Sequence, residues 1–232
     1  MDLATSTTEL TTSATDLILA LQCAVIPIYL RKISTDARWR VRLWSWVFGL
    51  LGFAALLGAI AHGIQIRPSL RFLLWQPLNL SLGLVVALYV AGAFGDLCGR
   101  ALAIRLVLLC LGVGSVFYGL TVLLDSGFIV FVVYEATAMA GVLVIYSYLT
   151  LTHQLKGAVF MVVAVIVNLA GAGVQASNVS LFVFVPFDHN GLFHLIQMVA
   201  LAVLAVGLSI GMPSQTVEAA ALVRSSCTLA QK

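Results

Sequence analysis

Four residues near the C-terminal third, Asn190, His194 and Gln197 with Asp188 ahead of them, stand at the start of a long apolar run. Steps of four and three residues put Asn190, His194 and Gln197 on one face of a helix. That face can hydrogen-bond a polar ligand or hold a proton. His189 lies five residues before His194, about 140° around an ideal helix. It joins the same face only if the helix begins after it. Asp188 is an N-cap candidate, because its side chain can accept from the free N–H groups of the first turn. Elsewhere Glu135 stands in an apolar stretch. A carboxylate there needs a cation, a metal or several donors, and His62 and His194 are its natural partners. As a candidate catalytic group Glu135 would accept a proton.

The elements that position these residues are helices built for hydrocarbon. Hydrophobic residues make up 62% of the 232-residue chain and charged residues only 9%. Soluble domains carry roughly 25% charged residues. Mean hydropathy is +1.10. Runs of about 20 apolar residues recur, and that length crosses a core of ~30 Å. The fold class is all-α, a polytopic seven-helix membrane bundle. The spans are expected over residues 13–29, 43–64, 73–94, 101–124, 128–150, 157–175 and 191–212. They form one domain over 13–212, between a polar lead-in at 1–12 and a tail at 213–232. The lead-in has no basic region and does not resemble a cleavable signal. Thr, Ser and Asp16 are its candidate N-caps.

Ten of the twelve Lys and Arg residues fall on one side of this topology, leaving Arg67 and Arg71 opposite. Cytoplasmic loops carry the excess of positive charge. The N-terminus is therefore expected outside and the C-terminus in the cytoplasm. No basic stripe with interleaved aromatics points to nucleic acid. The four cysteines have neither disulfide nor zinc-ribbon spacing. The apolar segment "SNVSLFVFVPF" reads as an outer loop lying along the interface or folding over the bundle, with too little alternation for a strand.

With these spans, the polar residues sort to one end. Asp16, His62, Asn79, Glu135, Asn168, Asn190, His194 and Gln197 all fall in the outer halves of their helices, as do Gln76 and Tyr134. The inner halves read as almost purely aliphatic, with Asp96, His153 and Lys156 as solvated flanks. Such a layer suits an outward-facing pocket, in which Asp16, Asn79, Asn168, Asn190 and Gln197 would bind a ligand. The plainer reading is that each group hydrogen-bonds a neighbouring helix. Singly, Asn79 and Asn168 favour that reading; the whole layer favours a pocket.

The motifs Gly58-Ala-Ile-Ala-His62, "WQPLNLS" around Asn79 and Asn190-Gly-Leu-Phe-His194 resemble the CREST superfamily, which groups alkaline ceramidases, adiponectin/progestin-type receptors and related seven-helix hydrolases. That family has Ser-x-x-x-His late in the second span, Asp early in the third and His-x-x-x-His opening the seventh. The resemblance implies a zinc site at His62 and His194, with His189 or Glu135 as a third ligand. Zinc would activate a water against a lipid amide or ester. Gly58, Asn79 and Asn190 stand where that family has Ser, Asp and His. The expected function is therefore a non-catalytic relative that binds a lipid, ligand or cofactor. A zinc-dependent hydrolase of a lipid amide or ester is the alternative. A haem or pigment on His62 or His194, and a purely structural polar layer, are further readings. The expected partners are membrane lipids, a small amphiphile or other membrane subunits.

Overall fold

A computed structural model describes residues 3–34, 38–124 and 127–212. The expected tail at 213–232 lies outside the described residues. Seven helices account for nearly all of the rest: α1 (Thr7–Ile33), α2 (Arg38–Gly63), α3 (Pro68–Cys98), α4 (Arg100–Leu123), α5 (Gly127–Leu151), α6 (Ala158–Gln175) and α7 (His189–Gly211). All seven are long and apolar enough to cross a membrane. Each extends or trims its expected span by a few residues. The 31-residue α3 is the longest, about 46 Å at 1.5 Å per residue. That is longer than the ~30 Å of a hydrocarbon core.

The first helix corrects the expected lead-in. It starts at Thr7, with Ser6 as N-cap and no side-chain cap bond. Asp16 is thus more than two turns inside the helix and buried, and is no cap. The hydroxyl residues before it are helical because neighbouring elements satisfy them. Thr11 Oγ1 donates to the Pro186 carbonyl at 2.8 Å, Thr12 Oγ1 to Asp188 Oδ1 at 2.9 Å, and Ser13 Oγ to the Ala59 carbonyl at 2.7 Å.

Six helices close a ring in the order α1, α2, α3, α5, α6, α7 and back to α1, each touching the next. Helix α4 stands outside the ring against α3 and α5, and only Ala103 and Gly114 on it are buried. Two glycines set the α3–α4 approach. A Cβ on Gly114 would stand 2.7 Å from the Gly83 carbonyl oxygen, a backbone atom that cannot swing away.

Two further expectations change. The apolar segment after α6 is a two-stranded antiparallel hairpin, β1 (Leu181–Phe182) and β2 (Pro186–Phe187), pairing Leu181 with Phe187 and Phe182 with Pro186. Its weak alternation concealed it, but pairing satisfies backbone groups that apolar surroundings would leave bare. The other end of the bundle is not purely aliphatic either. Asp96 is no solvated flank: its side chain is 3% exposed and grips Arg40, Nε to Oδ1 at 2.7 Å and Nη2 to Oδ2 at 2.9 Å. Tyr146 Oη donates to Oδ2 at 3.0 Å, and Arg40 Nη1 donates to the Gly211 carbonyl at 2.8 Å. This cluster ties α2, α3, α5 and α7 together. Arg40 thereby leaves the set of loop cations without removing the asymmetry between the two ends.

Candidate ligand cavity

The ring encloses a cavity of about 350 Å³. Its walls follow from helix periodicity, since residues three and four apart share a face. In α2 that face is Val47, Leu51, Ala54, Ala55, Gly58 and His62; in α7 it is Asn190, His194, Gln197, Leu201 and Leu204. The cavity is amphipathic along its length. Asp16, His62, Trp75, Asn79, Glu135, Asn168, Asn190, His194 and Gln197 line the end next to the hairpin. Apart from Thr121, Gln175, Phe131 and Phe193, mainly aliphatic residues line the remainder, down to Tyr89. Tyr89 meets Trp44 edge-on with centroids 4.8 Å apart. Below them, Phe48 and Tyr146 are fully buried. The Arg40–Asp96 cluster belongs to this closed end.

Eight of the nine expected site residues come together here: Asp16, His62, Asn79, Glu135, Asn168, Asn190, His194 and Gln197. His189 is the exception and does not line the cavity. It is the first residue of α7, so the helical turn of about 140° directs it off the His194 face. Asp188 does serve as the N-cap, accepting from the Gly191 amide at 2.8 Å.

The partners of the charged groups differ from those expected. Glu135 is met by Asn168, whose Nδ2 donates to Oε1 at 3.1 Å, and not by either histidine. His62 Nδ1 instead lies 2.6 Å from Glu9 Oε2, and its ring stands edge-on to Trp75 at 5.8 Å. His194 is held on both sides by α1, with Nδ1 at 3.1 Å from Thr15 Oγ1 and Nε2 at 3.3 Å from Asp16 Oδ1. Gly58 makes this possible, because a Cβ there would stand 2.6 Å from Asp16 Oδ2.

Sequence reading missed Glu9, Thr12, Thr15 and Trp75. The first three belong to "TTELTTSATD", where Glu9, Thr12 and Asp16 follow helical three- and four-residue steps. Treating the stretch as a lead-in hid that stripe.

Two polar atoms on the wall lack partners although buried, Asp16 Oδ2 and Gln197 Oε1. Both are acceptors. Among the described residues no Lys or Arg lines the cavity. A buried acceptor without a donor costs about 1–3 kcal/mol, so a guest that brings N–H or O–H groups to this end gains what the empty protein forgoes. The zinc set implied by the family resemblance fits less well. Among the described residues no group of three or more His, Cys, Asp or Glu is placed to hold a metal ion. Both ring nitrogens of His194 face α1 side chains.

Among known families, the one described as a family of unknown function, DUF6962, matches residues 11–213. That range takes in every helix except the first turn of α1. No curated protein and no solved structure matches the chain.

Proposed function

This chain belongs to the DUF6962 family, and we propose that it is a multi-pass membrane protein that binds an amphiphile in the axial cavity without cleaving it. The head group occupies the polar end, among Asp16, Glu135, His194 and Gln197. The apolar body lies along the aliphatic walls. The head is neutral or cationic and rich in donors, such as an amine, amide or hydroxyl, because the wall offers two carboxylates, no guanidinium or ammonium, and two unpartnered acceptors. Those unpartnered acceptors carry the reading. The bundle lies with its N-terminus and the hairpin outside and its C-terminus in the cytoplasm, as the loop charges favour. The polar end then faces outward. In this reading the chain is a distant relative of the CREST proteins in which the pocket persists and the hydrolytic groups do not.

The test uses hexadecylamine, hexadecanol and palmitic acid as probes of the purified full chain. A guest that binds only the folded state raises its melting temperature. The amine and the alcohol are expected to stabilise the protein, and palmitic acid to do so weakly or not at all. Leu204→Trp, which fills the aliphatic wall, is expected to abolish the effect. Equal stabilisation of the wild type and Leu204→Trp would refute the site.

The second reading is a zinc-dependent hydrolase of a lipid amide or ester. It is favoured by His62, His194 and Asp16 lining the same end of one cavity. Stoichiometric zinc in the purified protein, lost in His62→Ala, would establish it over the first.

A further inference from the structure

The position of α4 outside the ring creates a second concavity, of about 430 Å³, between α2 and α4. Leu88 of α3 forms its floor, and Leu43, Ile104 and Val107 its apolar walls. Contacts with α3 set the spacing of the cleft: Gly114 of α4 against Gly83 in one half, and Trp39 of α2 with Ala103 of α4 crowding Gly95 in the other. At its basic end stand Arg42 from the first turns of α2 and Arg100, the first residue of α4. Trp39 and Trp46 complete the rim.

Among the described residues no acidic one lines this cleft. Among the described residues neither Arg42 nor Arg100 has a carboxylate within ion-pair distance. Two exposed guanidinium groups therefore face one apolar slot, with no counter-charge among the described residues. The N-terminus of α4 opens beside them, and its N-cap Gly99 supplies no side-chain acceptor. Free N–H groups and the helix dipole there favour an anion. Tryptophan gathers at the level of lipid head groups, and apolar slots in a membrane-facing surface take acyl chains.

We propose that the α2–α4 cleft is a site for an anionic phospholipid, whose phosphate pairs with Arg42 and Arg100 and whose acyl chain lies over Leu88 and Ile104. The site rests on the bilayer reading above and is independent of what the axial cavity holds. Basic pockets between transmembrane helices recognise lipid head groups in this way.

Native mass spectrometry of the full chain in mild detergent tests it, with phosphatidylglycerol and phosphatidylcholine of identical acyl chains supplied in equal amounts. Phosphatidylglycerol adducts should be preferred roughly thirtyfold, on the scale of two cations each acting near a membrane surface. Arg42→Gln with Arg100→Gln should bring the ratio close to one. Arg105→Gln, on α4 but outside the cleft, should leave it unchanged. No head-group preference in the wild type, or a preference that survives the double substitution, overturns the site. Displacement of phosphatidylglycerol by equimolar inorganic phosphate also overturns it, because the cleft would then hold free phosphate. Failure of the bilayer reading has a separate signature: release of the chain from membranes by alkaline carbonate.

Discussion

Separating Arg40 from Asp96 should cost this protein more stability than any change at the cavity. The two side chains are 7% and 3% exposed and make paired contacts of 2.7 and 2.9 Å. Removing one partner leaves the other charge buried with part of its support, Tyr146 for Asp96 or the Gly211 carbonyl for Arg40. Breaking a buried pair in this way costs about 3–5 kcal/mol. For a chain of this size each kcal/mol lowers the melting temperature by roughly 2–4 °C. Arg40→Met or Asp96→Leu should therefore melt about 10 °C below the wild type in the same detergent. The double variant Arg40→Met/Asp96→Leu removes both charges and restores much of the loss, because no ion is left without a partner. Thermal unfolding followed by circular dichroism, read as a double-mutant cycle, measures the coupling. Two single losses below about 1 kcal/mol, or a double variant that loses their sum, would refute the claim that this pair is a buried, mutually dependent unit.

Gly58→Ala should weaken hexadecylamine binding at least severalfold with little change in melting temperature, because the new methyl overlaps the Asp16 carboxylate and the movable side chain yields; titration of the amine against both proteins checks it. Gly114→Val should lower the melting temperature by several degrees, since overpacking typically costs 1–3 kcal/mol and the Gly83 backbone opposite cannot retreat; unfolding curves read it directly. In oriented vesicles or whole cells, Cys98 should react with a membrane-impermeant maleimide only from the cytoplasmic side. A cysteine placed at the hairpin by Val183→Cys should react from the other side. Labelling of both from one side would contradict the seven-span orientation.

The number and approximate extent of the helices were legible because apolar length reports directly on the spans. Helix ends were not, since backbone hydrogen bonding continues past the apolar stretch. Hence α1 begins at Thr7, where only hydroxyl partners on α2, α7 and β2 explain a helical turn of Thr and Ser. Most of the cavity was legible for a related reason: polar residues at matched depth in different helices must face inward or meet lipid. Pairings between helices left no such trace. Arg40 and Asp96 each look like an ordinary flank to a span, and nothing local signals that one reaches the other. Glu9 and His62 are in the same position. Glu135 was assigned the wrong partners because depth alone does not give the rotation of a helix about its axis; α6 brings Asn168 to it, while α1 turns Asp16 and Thr15 toward His194.

The two ends of the ring differ in what lines the cavity, and that difference gives the cavity a direction. At the Arg40 end the ion pair is braced by Tyr146 and the Gly211 carbonyl, and Trp44, Phe48 and Tyr146 pack without exposure, although Ser34 Oγ, Trp44 Nε1 and Ser45 Oγ are buried there without a partner. That end resists opening, because parting the ion pair strands a buried charge. At the hairpin end Asp16 Oδ2 and Gln197 Oε1 remain unpartnered, and His62 rests on a half-exposed Glu9. Of the unpartnered buried atoms, the two on the cavity wall lie there, where side chains can rearrange without stranding the Arg40–Asp96 pair. If the cavity binds an amphiphile as proposed, the guest should enter head-last, apolar body first along Leu51 and Leu204, and stop when its donors reach Asp16 and Gln197. Lengthening an n-alkylamine should strengthen binding until the chain meets Tyr89, after which each added methylene is excluded. A plateau in affinity with chain length would locate that floor, whereas affinity that keeps rising with length would mean the tail escapes sideways and the ring is not closed.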